Sequence, residues 1–391
     1  MSKPRLVLNE CLWICGGITN QAVQYPRHEM AAVRERGAKV FVLDSENAKG
    51  LEELGQRLRH SDVHVVLIWL RPCELKCLYP ILRERKNFSI VVDDWWICPR
   101  WFSREADYIL YRIYSGIPAR LGQAKLVTSP PPVFFWQRNS TIYGTQAALL
   151  RLPTLVTWPL LDAWKWFDRR RETIRPERLL YFPLSVAAEA VPLRDEPVKF
   201  DFALTGNVVG IWLMRDPYAS ARYTFANLYH DREVLMDLVR QFDGKPYAIY
   251  DWRKLSPAVA PQSWDEYVRI IRESRFVLST GGLHNSGLPK HLEYACLGTP
   301  MIGRQTVYEF PWLEDCMFNT EDLSMSASKM KSLLEQAMDR HPILRENCLN
   351  WRDKLLKLHD IHRLLDMLQA QANGEAIPPG YLKAPKPIAQ R

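Results

Sequence analysis

The sequence has no long apolar run among its 391 residues. A membrane-spanning helix needs roughly 18–20 uninterrupted apolar residues, and no segment approaches that length. Near the amino end only Leu6, Val7 and Leu8 are apolar between Arg5 and Glu10, too few for the core of a secretory signal. We therefore expect a cytoplasmic protein. If it associates with a membrane, we expect it to do so peripherally, without a spanning helix.

Zinc-binding spacings are also missing. The eight cysteines include two C-x3-C pairs, Cys11 with Cys15 and Cys73 with Cys77. Neither pair has the two-residue spacing of a zinc knuckle or a histidine pair nearby. Buried or spare thiols in a reducing compartment are the favoured interpretation, and a metal site is the alternative.

Positive charge is in excess, with 52 Lys and Arg against 44 Asp and Glu and a net charge of +8. This excess favours an anionic partner: a phosphorylated nucleotide, an acidic lipid surface or a nucleic acid. The densest cluster, Arg169 to Arg171, is too small to define a DNA-binding face, and a solvated surface explains it more simply. The 14 Trp and 16 Tyr side chains are compatible with a hydrophobic core, a carbohydrate-binding platform or a membrane interface, and composition does not choose between these roles.

Two domains are expected, because 391 residues exceed what one hydrophobic core usually holds. In the first half, short apolar segments alternate with amphipathic ones, which predicts βαβ units and a parallel sheet. The strands are expected at residues 5–10, 39–44, 63–70 and 88–94, with helices at 21–36, 50–59 and 74–85. Ligands of such sheets bind beyond the carboxyl ends of the strands, which places Glu10 to Gly17, Asp44, Asp93 and Asp94 along one edge.

The alternation resumes in the second half of the chain. Ser263 with Glu266 predicts a capping box at the start of one helix, and Gly298 ends another. The expected strands are 200–206, 247–252, 275–280 and 300–303, and the expected helices are 219–242, 263–275, 290–298 and most of 326–371. We predict an amino-terminal domain at 1–185, a linker at 186–198, a carboxyl-terminal domain with the final helices at 199–372, and a loose tail at 373–391.

The most informative segment, residues 263–303, predicts a strand, a glycine-bearing loop and a helix that carries Lys290 and Glu293 near its start. Free amides at a helix start attract phosphate, glycine lets the main chain approach a diphosphate, and Lys290 adds a positive charge. The Glu293 carboxylate can accept hydrogen bonds from both hydroxyls of a ribose. The alternative is a surface ion pair between the two side chains, worth roughly a few tenths of a kcal/mol.

The same segment resembles the donor-binding region of GT-B glycosyltransferases, whose pattern is close to P-x-K-x-x-E-Y-x-x-x-G-x-P-x-I. This chain keeps most of that pattern, although its proline is one place nearer the lysine. The matching residues are Pro289, Lys290, Glu293, Tyr294, Gly298, Pro300 and Ile302. Spore-maturation-type and group-1-like glycosyltransferases, and more distantly exostosin-like ones, are the groups it is similar to. The resemblance implies an α/β fold of two Rossmann-like parallel-sheet domains facing a central cleft. It also implies transfer of a sugar from a nucleoside-diphosphate sugar to a hydroxyl of a saccharide, glycolipid or other acceptor.

The resemblance further implies which residues bind the donor. UDP is taken as the representative nucleotide, because the sequence determines neither the base nor the sugar of the donor. Arginine suits a phosphate clamp because its planar fork bonds two oxygens at once. The implied set is Glu293 for the ribose, Lys290 with the backbone of Ser279, Thr280, Gly281 and Gly282 for the diphosphate, Gly206 and Asn207 near the phosphates, Arg222 (or Arg215) as a clamp, and Arg253 near the base.

Catalytic candidates come mainly from the first domain. If the transfer inverts the anomeric centre, a general base must deprotonate the acceptor hydroxyl. Asp94 and Asp93 are leading candidates, with a helix-capping role as the alternative; Glu10 is another, and His284 would contact the sugar or the leaving phosphate. Many retaining members carry a second glutamate where this chain has Asn285, so the stereochemistry stays open. No cofactor or metal is expected, because helix termini and basic side chains stabilise the leaving diphosphate and no convincing D-x-D triad occurs.

Other functions stay open at this point. A nucleic-acid-binding protein would stack bases on its aromatic side chains and use its basic surface for phosphates. A hybrid is a glycosyltransferase whose acceptor is a modified base of DNA. A sugar-nucleotide epimerase and a noncatalytic subunit complete the alternatives; an epimerase, unlike a transferase, releases no free nucleoside diphosphate.

Overall fold

The computed structural model describes residues 6–16, 25–43, 48–59, 61–70, 72–83, 87–92, 105–112, 178–193, 197–204, 239, 242, 246–248, 250–251, 256–257, 263–279, 289–303, 310–320 and 327–383. Within these ranges the chain forms two α/β units, each built on a parallel sheet. The predicted α/β class with two parallel sheets is therefore confirmed. The helix expected at 219–242 lies outside the described residues, apart from Val239 and Phe242.

The first unit is built on a sheet whose six described strands are all parallel, in the order β2-β1-β3-β4-β5-β6. The strands are β1 (Leu12–Gly16), β2 (Lys39–Leu43), β3 (Val65–Ile68), β4 (Phe88–Val92), β5 (Tyr108–Tyr111) and β6 (Leu179–Tyr181). Three helices lie between the first four strands: α1 (Tyr25–Glu35), α2 (Ala48–Arg59) and α3 (Pro72–Leu82). Leu58 of α2 and Leu78 of α3 pack with Ile14, Leu67 and Ile109 of the strands in one buried core, as parallel sheets covered by helices require.

The first strand lies later in the chain than the sequence predicts. Residues 5–10 were expected to form it, but Leu8–Glu10 is a short 3-10 helix and the strand is β1. The side chain of Gln369 accepts a hydrogen bond from the Leu8 N–H and donates one to the Leu6 carbonyl. These main-chain groups are therefore satisfied by a distant amide instead of a neighbouring strand.

The last described helix belongs to the first unit, whereas the predicted boundaries assigned residues 199–372, which include most of this helix, to the second domain. The last two described helices are α7 (Ala327–Leu358) and α8 (Ile361–Asn373), and the stretch from Leu355 to Ala384 clusters with the first unit. The α8 side chain of Gln371 accepts from the Tyr181 N–H at 2.9 Å and donates to the Tyr181 carbonyl at 2.8 Å. It thus occupies backbone groups that the edge strand β6 would otherwise leave unpaired.

The second unit contains a sheet whose five described strands are parallel, in the order β13-β12-β11-β7-β8. They are β7 (Phe200–Leu204), β8 (Pro246–Ala248), β11 (Ser274–Leu278), β12 (Met301–Gly303) and β13 (Met317–Asn319). The strand expected at 247–252 is divided, because β9 (Tyr250–Asp251) pairs separately with β10 (Ser256–Pro257) in an antiparallel ladder.

The helices of the second unit are α4 (Trp264–Arg272), α5 (Pro289–Cys296), α6 (Pro311–Cys316) and the greater part of α7. Helices α4, α5 and α7 lie where they were predicted, whereas α6 was not predicted. The Ser263 hydroxyl accepts the Glu266 N–H at 3.1 Å, which confirms the predicted cap of α4. Gly298, two residues after the end of α5, has φ of +74°, which confirms its predicted role in ending that helix. No helix in the described ranges is long and apolar enough to cross a membrane.

Candidate functional site

The order of the second sheet defines where a ligand would bind. After β7 the chain goes to β8 on one side, and after β11 it goes to β12 on the other. Connections that diverge in this way leave a crevice outside the carboxyl ends of the two strands, here after Leu204 and Leu278. Gly206 and Asn207 follow the first of these strand ends in sequence, and Ser279 to Gly282 follow the second.

Ser279 is the one residue of the predicted phosphate loop that the described ranges include. It is buried, and its N–H donates to the Ile302 carbonyl at 2.8 Å. The Ser279 amide is therefore bonded within the sheet. Of the predicted diphosphate-binding backbone from Ser279 to Gly282, only the amides of the three residues after Ser279 stay candidates. Those three lie outside the described residues.

Helix α5 carries the two donor-binding candidates, Lys290 in its first turn and Glu293 one turn further. Glu293 is only 3% exposed, and it accepts a hydrogen bond from the Tyr267 hydroxyl at 2.5 Å. Lys290 is half-buried, and its ammonium lies 5.9 Å from the centroid of the Tyr267 ring. Neither side chain projects freely into solvent, and the assignment of both to the donor stays a prediction.

Tyr267 connects these two side chains, and it was not among the predicted site residues. It lies on α4, buried beside Trp264 with ring centroids 5.2 Å apart. Its ring faces the ammonium and its hydroxyl faces the carboxylate, so one tyrosine orients both. The apolar stripe of α4 signals that Tyr267 is buried, but nothing local indicates that its partner lies 26 residues later.

Most of the other predicted site residues lie outside the described residues, and their assignments stay predictions. They are Asp93, Asp94, Gly206, Asn207, Arg222, Arg253, Thr280, Gly281, Gly282 and His284, together with the basic cluster at 169–171. Strand β4 ends at Val92, directly before Asp93 in the sequence.

Glu10 is not at the edge where it was expected. It is the last residue of the 3-10 helix that precedes β1, and it is exposed. The carboxyl end of β1 is Gly16, so Glu10 lies at the opposite, amino end of that strand. Its placement at the ligand-binding edge was therefore wrong, because the strand was assigned too early in the chain.

The first sheet has its own switch point, between the carboxyl ends of β1 and β3. Gly16 and Trp69 meet there: a Cβ added to Gly16 would lie 2.4 Å from the Trp69 carbonyl oxygen and 2.6 Å from a Glu74 carboxylate oxygen. Only glycine allows that approach. Trp69 itself has φ of +55°, a left-handed conformation that is rare for a bulky side chain and is typical of functional edges.

A buried ion pair holds this edge together. Arg112, directly after β5, donates to both carboxylate oxygens of Glu29 on α1, at 3.0 and 2.8 Å, and both residues are 0% exposed. The Trp69 indole N–H donates to the same carboxylate at 2.8 Å, and the Ser185 hydroxyl does so at 3.1 Å. The Arg112 guanidinium also lies over the rings of Trp69 and Phe182, at 4.4 and 5.3 Å.

This cluster of Glu29, Trp69, Arg112 and Ser185 was not predicted from the sequence. Its members lie on α1 or after the ends of β3, β5 and β6, so the strand order alone brings them together. A buried ion pair is not an efficient source of stability, because desolvation offsets much of the attraction. It does fix one arrangement of the strand ends where an acceptor site is expected.

The described cysteines are free thiols, most of them buried. Burial raises the pKa of Cys11 to about 12 and that of Cys15 to about 11, so both stay protonated near neutral pH. In the ranges that the structure covers, no group of three or more His, Cys, Asp or Glu side chains is arranged to hold a metal ion.

Comparison with known proteins finds likeness at the level of structure. No protein-family model matches the chain, and no curated protein matches it. A glycosyltransferase from Rickettsia africae is similar at 9% identity and a TM-score of 0.43, over 94% of this chain and 99% of that one. A sucrose-phosphate synthase from Thermosynechococcus elongatus is similar at 10% identity and a TM-score of 0.45, over 93% and 98%. Anabaena HepE, solved in complex with UDP and glucose, is similar at 9% identity and a TM-score of 0.45, also over 93% and 98%. Because these identities and TM-scores are low, a conclusion about function has to rest on the residues of this chain.

Proposed function

We propose that this chain is a GT-B-type glycosyltransferase that takes a nucleoside-diphosphate sugar, with UDP as the representative nucleotide, and transfers the sugar to a hydroxyl. The observation that carries the proposal is the arrangement of Lys290, Tyr267 and Glu293 on and beside α5. This helix follows β11, and β11 ends at the switch point of the second sheet. A cation and a buried carboxylate, one turn apart at that place, match the two ends of a nucleoside diphosphate.

Each group has a defined task in this proposal. The amides in the first turn of α5 and the Lys290 ammonium stabilise the diphosphate, both in the bound donor and as it leaves. Glu293 accepts hydrogen bonds from the ribose hydroxyls while it keeps the bond from Tyr267, since an ionised carboxylate offers about four acceptor positions. Tyr267 acts as a positioning residue, because it contacts Lys290 and Glu293 without needing to touch the donor.

The acceptor side is assigned to the first unit. The acceptor hydroxyl oxygen attacks the anomeric carbon, the bond from that carbon to the β-phosphate oxygen breaks, and the nucleoside diphosphate leaves. Asp94 or Asp93, which follow β4, would take the hydroxyl proton if the transfer inverts the anomeric centre. The Glu29–Arg112 cluster supports this edge by holding Trp69 in its strained conformation.

The ribose assignment is tested by comparing UDP with 2′-deoxy-UDP. Wild-type protein should bind UDP more tightly, and Glu293→Gln should lose most of that preference, weakening UDP binding by about 10- to 100-fold, as expected for lost charge-assisted hydrogen bonds. Calorimetric titration gives both affinities. Glutamine can still accept from Tyr267, so the variant should fold, and Glu335→Gln, an exposed carboxylate on α7, is the matched control.

A structural role for Glu293 predicts a different pattern. Both nucleotides would then lose affinity equally, or neither would, and the ribose assignment would be discarded. Lys290→Gln is the companion variant: it should weaken UDP binding but leave uridine, which has no phosphate, unaffected. Release of UDP from UDP-sugars only when a hydroxyl acceptor is present would separate a transferase from an epimerase.

A further inference from the structure

Trp69 has a backbone conformation that no other non-glycine residue shares among those the structure describes. It directly follows β3, and its φ of +55° lies in the left-handed region. A bulky side chain there costs free energy, which other contacts of the fold must offset. Residues held in this way cluster at ligand-binding sites, and β3 ends at the switch point of the first sheet.

Buried groups hold the Trp69 indole in place. Its N–H donates to the Glu29 carboxylate at 2.8 Å, and the Arg112 guanidinium lies 4.4 Å from the ring centroid. The Ser185 hydroxyl donates to the same carboxylate at 3.1 Å. Glu29, Arg112 and Ser185 are 0% exposed, whereas Trp69 is only half-buried. The buried groups therefore fix the orientation of a ring that solvent, and so a ligand, still reaches.

Trp351 on α7 shows that such contacts do not by themselves require backbone strain. Its indole N–H donates to the Asp315 carboxylate at 2.8 Å, and the Lys354 ammonium lies 4.2 Å from its ring centroid. Trp351 is also half-buried, yet it lies inside a helix with ordinary backbone angles. The strain at Trp69 is therefore not explained by a need to pair an indole N–H or to place a cation over the ring.

The chemistry of Trp69 narrows the class of ligand. The indole N–H is its one polar side-chain group and is engaged with Glu29, so the accessible part offers a flat apolar ring. The charge of Arg112 is compensated by Glu29, so this pair offers no net charge to an anion. A pyranose suits such a surface, because one face of the sugar ring presents C–H groups while its hydroxyls lie around the rim.

We propose that Trp69 is the platform on which the acceptor binds, and that the acceptor is a saccharide whose pyranose ring packs on the indole. This inference rests on the proposed function, because a transferase needs an acceptor at this edge. Strand β4, which ends directly before Asp93 and Asp94 in the sequence, is the neighbour of β3. The platform and the proposed base therefore follow adjacent strands. Trp69 determines specificity and takes no part in proton transfer.

The test measures binding of methyl pyranosides to the full chain by ligand-observed NMR, without UDP. The probes are the methyl α- and β-glycosides of glucose, galactose and mannose. Wild-type protein should bind at least one of them, and Trp69→Leu should weaken that binding by about 3- to 10-fold, because aromatic packing contributes beyond the buried area. Trp69→Phe keeps a flat ring and should stay within about twofold of wild-type affinity. Both variants should bind UDP as wild-type protein does.

Trp351→Leu and Trp351→Phe are the matched controls, because Trp351 has a carboxylate and a cation as partners but lies on a helix surface. Both should leave pyranoside binding unchanged. If Trp69 merely covers the buried Glu29–Arg112 pair, its two variants would lose stability without differing in sugar affinity. Equal pyranoside affinities in Trp69→Leu and Trp69→Phe would therefore overturn the proposal.

A readout on the unchanged sequence comes from fluorine NMR of the chain labelled with 5-fluorotryptophan. The Trp69 signal is the one absent from the spectrum of Trp69→Phe or Trp69→Leu, and the Trp351 signal is assigned in the same way. The Trp69 signal should shift as the bound pyranoside is added, and the Trp351 signal should not. No binding of any pyranoside by wild-type protein, or shifts confined to other tryptophans, would contradict the platform.

Failure of this inference is distinguishable from failure of the proposed function. UDP binding that depends on Glu293, together with pyranoside binding that ignores Trp69, would keep the transferase and overturn the platform. Trp69-dependent pyranoside binding without Glu293-dependent UDP binding would support the platform and contradict the proposed function instead. Binding of p-cresol at Trp69, with no pyranoside bound, would overturn the saccharide class in favour of an aromatic hydroxyl compound.

Discussion

Replacing Arg112 by methionine would remove one half of the buried ion pair and leave the Glu29 carboxylate inside the first unit. Arg112 is 0% exposed and makes two hydrogen bonds to Glu29, at 3.0 and 2.8 Å. Breaking a buried pair in this way costs about 3–5 kcal/mol, mainly because the remaining charge is uncompensated. A typical domain has only about 5–15 kcal/mol of stability, so the variant should be markedly destabilised.

The reciprocal change, Glu29→Gln, leaves the Arg112 guanidinium without its carboxylate and should cost a similar amount. The double variant is the informative one, because it contains no buried charge. Its glutamine oxygen can still accept from the Trp69 indole or the Ser185 hydroxyl, which now donate to Glu29. We expect it to lose less than about 2 kcal/mol, since uncharged replacements of buried ion pairs are often nearly neutral.

The assay is urea unfolding of the two single variants, the double variant and the wild-type protein. Hydrogen exchange of β1 and β3 amides assigns the transition of the first unit, because two units need not unfold together. A double variant less destabilised than either single one is the expected result, with a coupling energy of at least ~4 kcal/mol in magnitude. Additive losses, or single losses below about 1 kcal/mol, would refute the reasoning that the pair is buried and mutually compensated.

Two further predictions concern stability. Burial lowers the pKa of His359 from 6.5 to about 4, and its ring contacts the Leu184 carbonyl at 2.7 Å; the unfolded chain therefore takes up the proton first. The contribution of His359 to the free energy of unfolding should be present in full above pH 6.5 and be lost as the pH drops toward 4. Burial raises the pKa of Asp107 to about 6, which acts in the opposite direction over the same range, so the quantity to measure is the difference between wild-type protein and His359→Asn in urea titrations; it should fall by up to about 3 kcal/mol between pH 6.5 and 4. Gly298→Ala should cost about 1–2 kcal/mol, because Gly298 has φ of +74° and the new Cβ would lie 3.0 Å from Leu349. Gly55→Ala, inside α2 with its Cβ 3.8 Å from Ile81, should instead stabilise by roughly 0.5–1 kcal/mol, and a melting temperature at or below that of the wild-type protein would contradict this expectation.

Local signals predicted much of the second unit. The apolar runs at β7, β11 and β12 read correctly as buried strands, and the Ser263 cap and Gly298 bounded α4 and α5 as expected. These features depend on neighbours within one or two turns, so they are visible in a single segment.

Other elements gave weaker signals. Strands β5, β6 and β13 have three or four residues each and were not separated from the surrounding sequence. The shift of β1 had a different cause: Leu6 and Leu8 are apolar enough for a strand, but their main-chain groups are paired with the Gln369 side chain. No local pattern contains a partner 361 residues away.

By itself, the sequence determined the α/β class, most strand positions and the helix that carries Lys290 and Glu293, because periodicity and capping are encoded by adjacent residues. The tertiary structure alone decided that Tyr267 joins those two side chains and that Glu29, Trp69, Arg112 and Ser185 form one buried cluster. It also decided that α8 belongs with the first sheet. These pairings depend on strand order and on which buried polar groups need partners, and both are properties of the assembled chain.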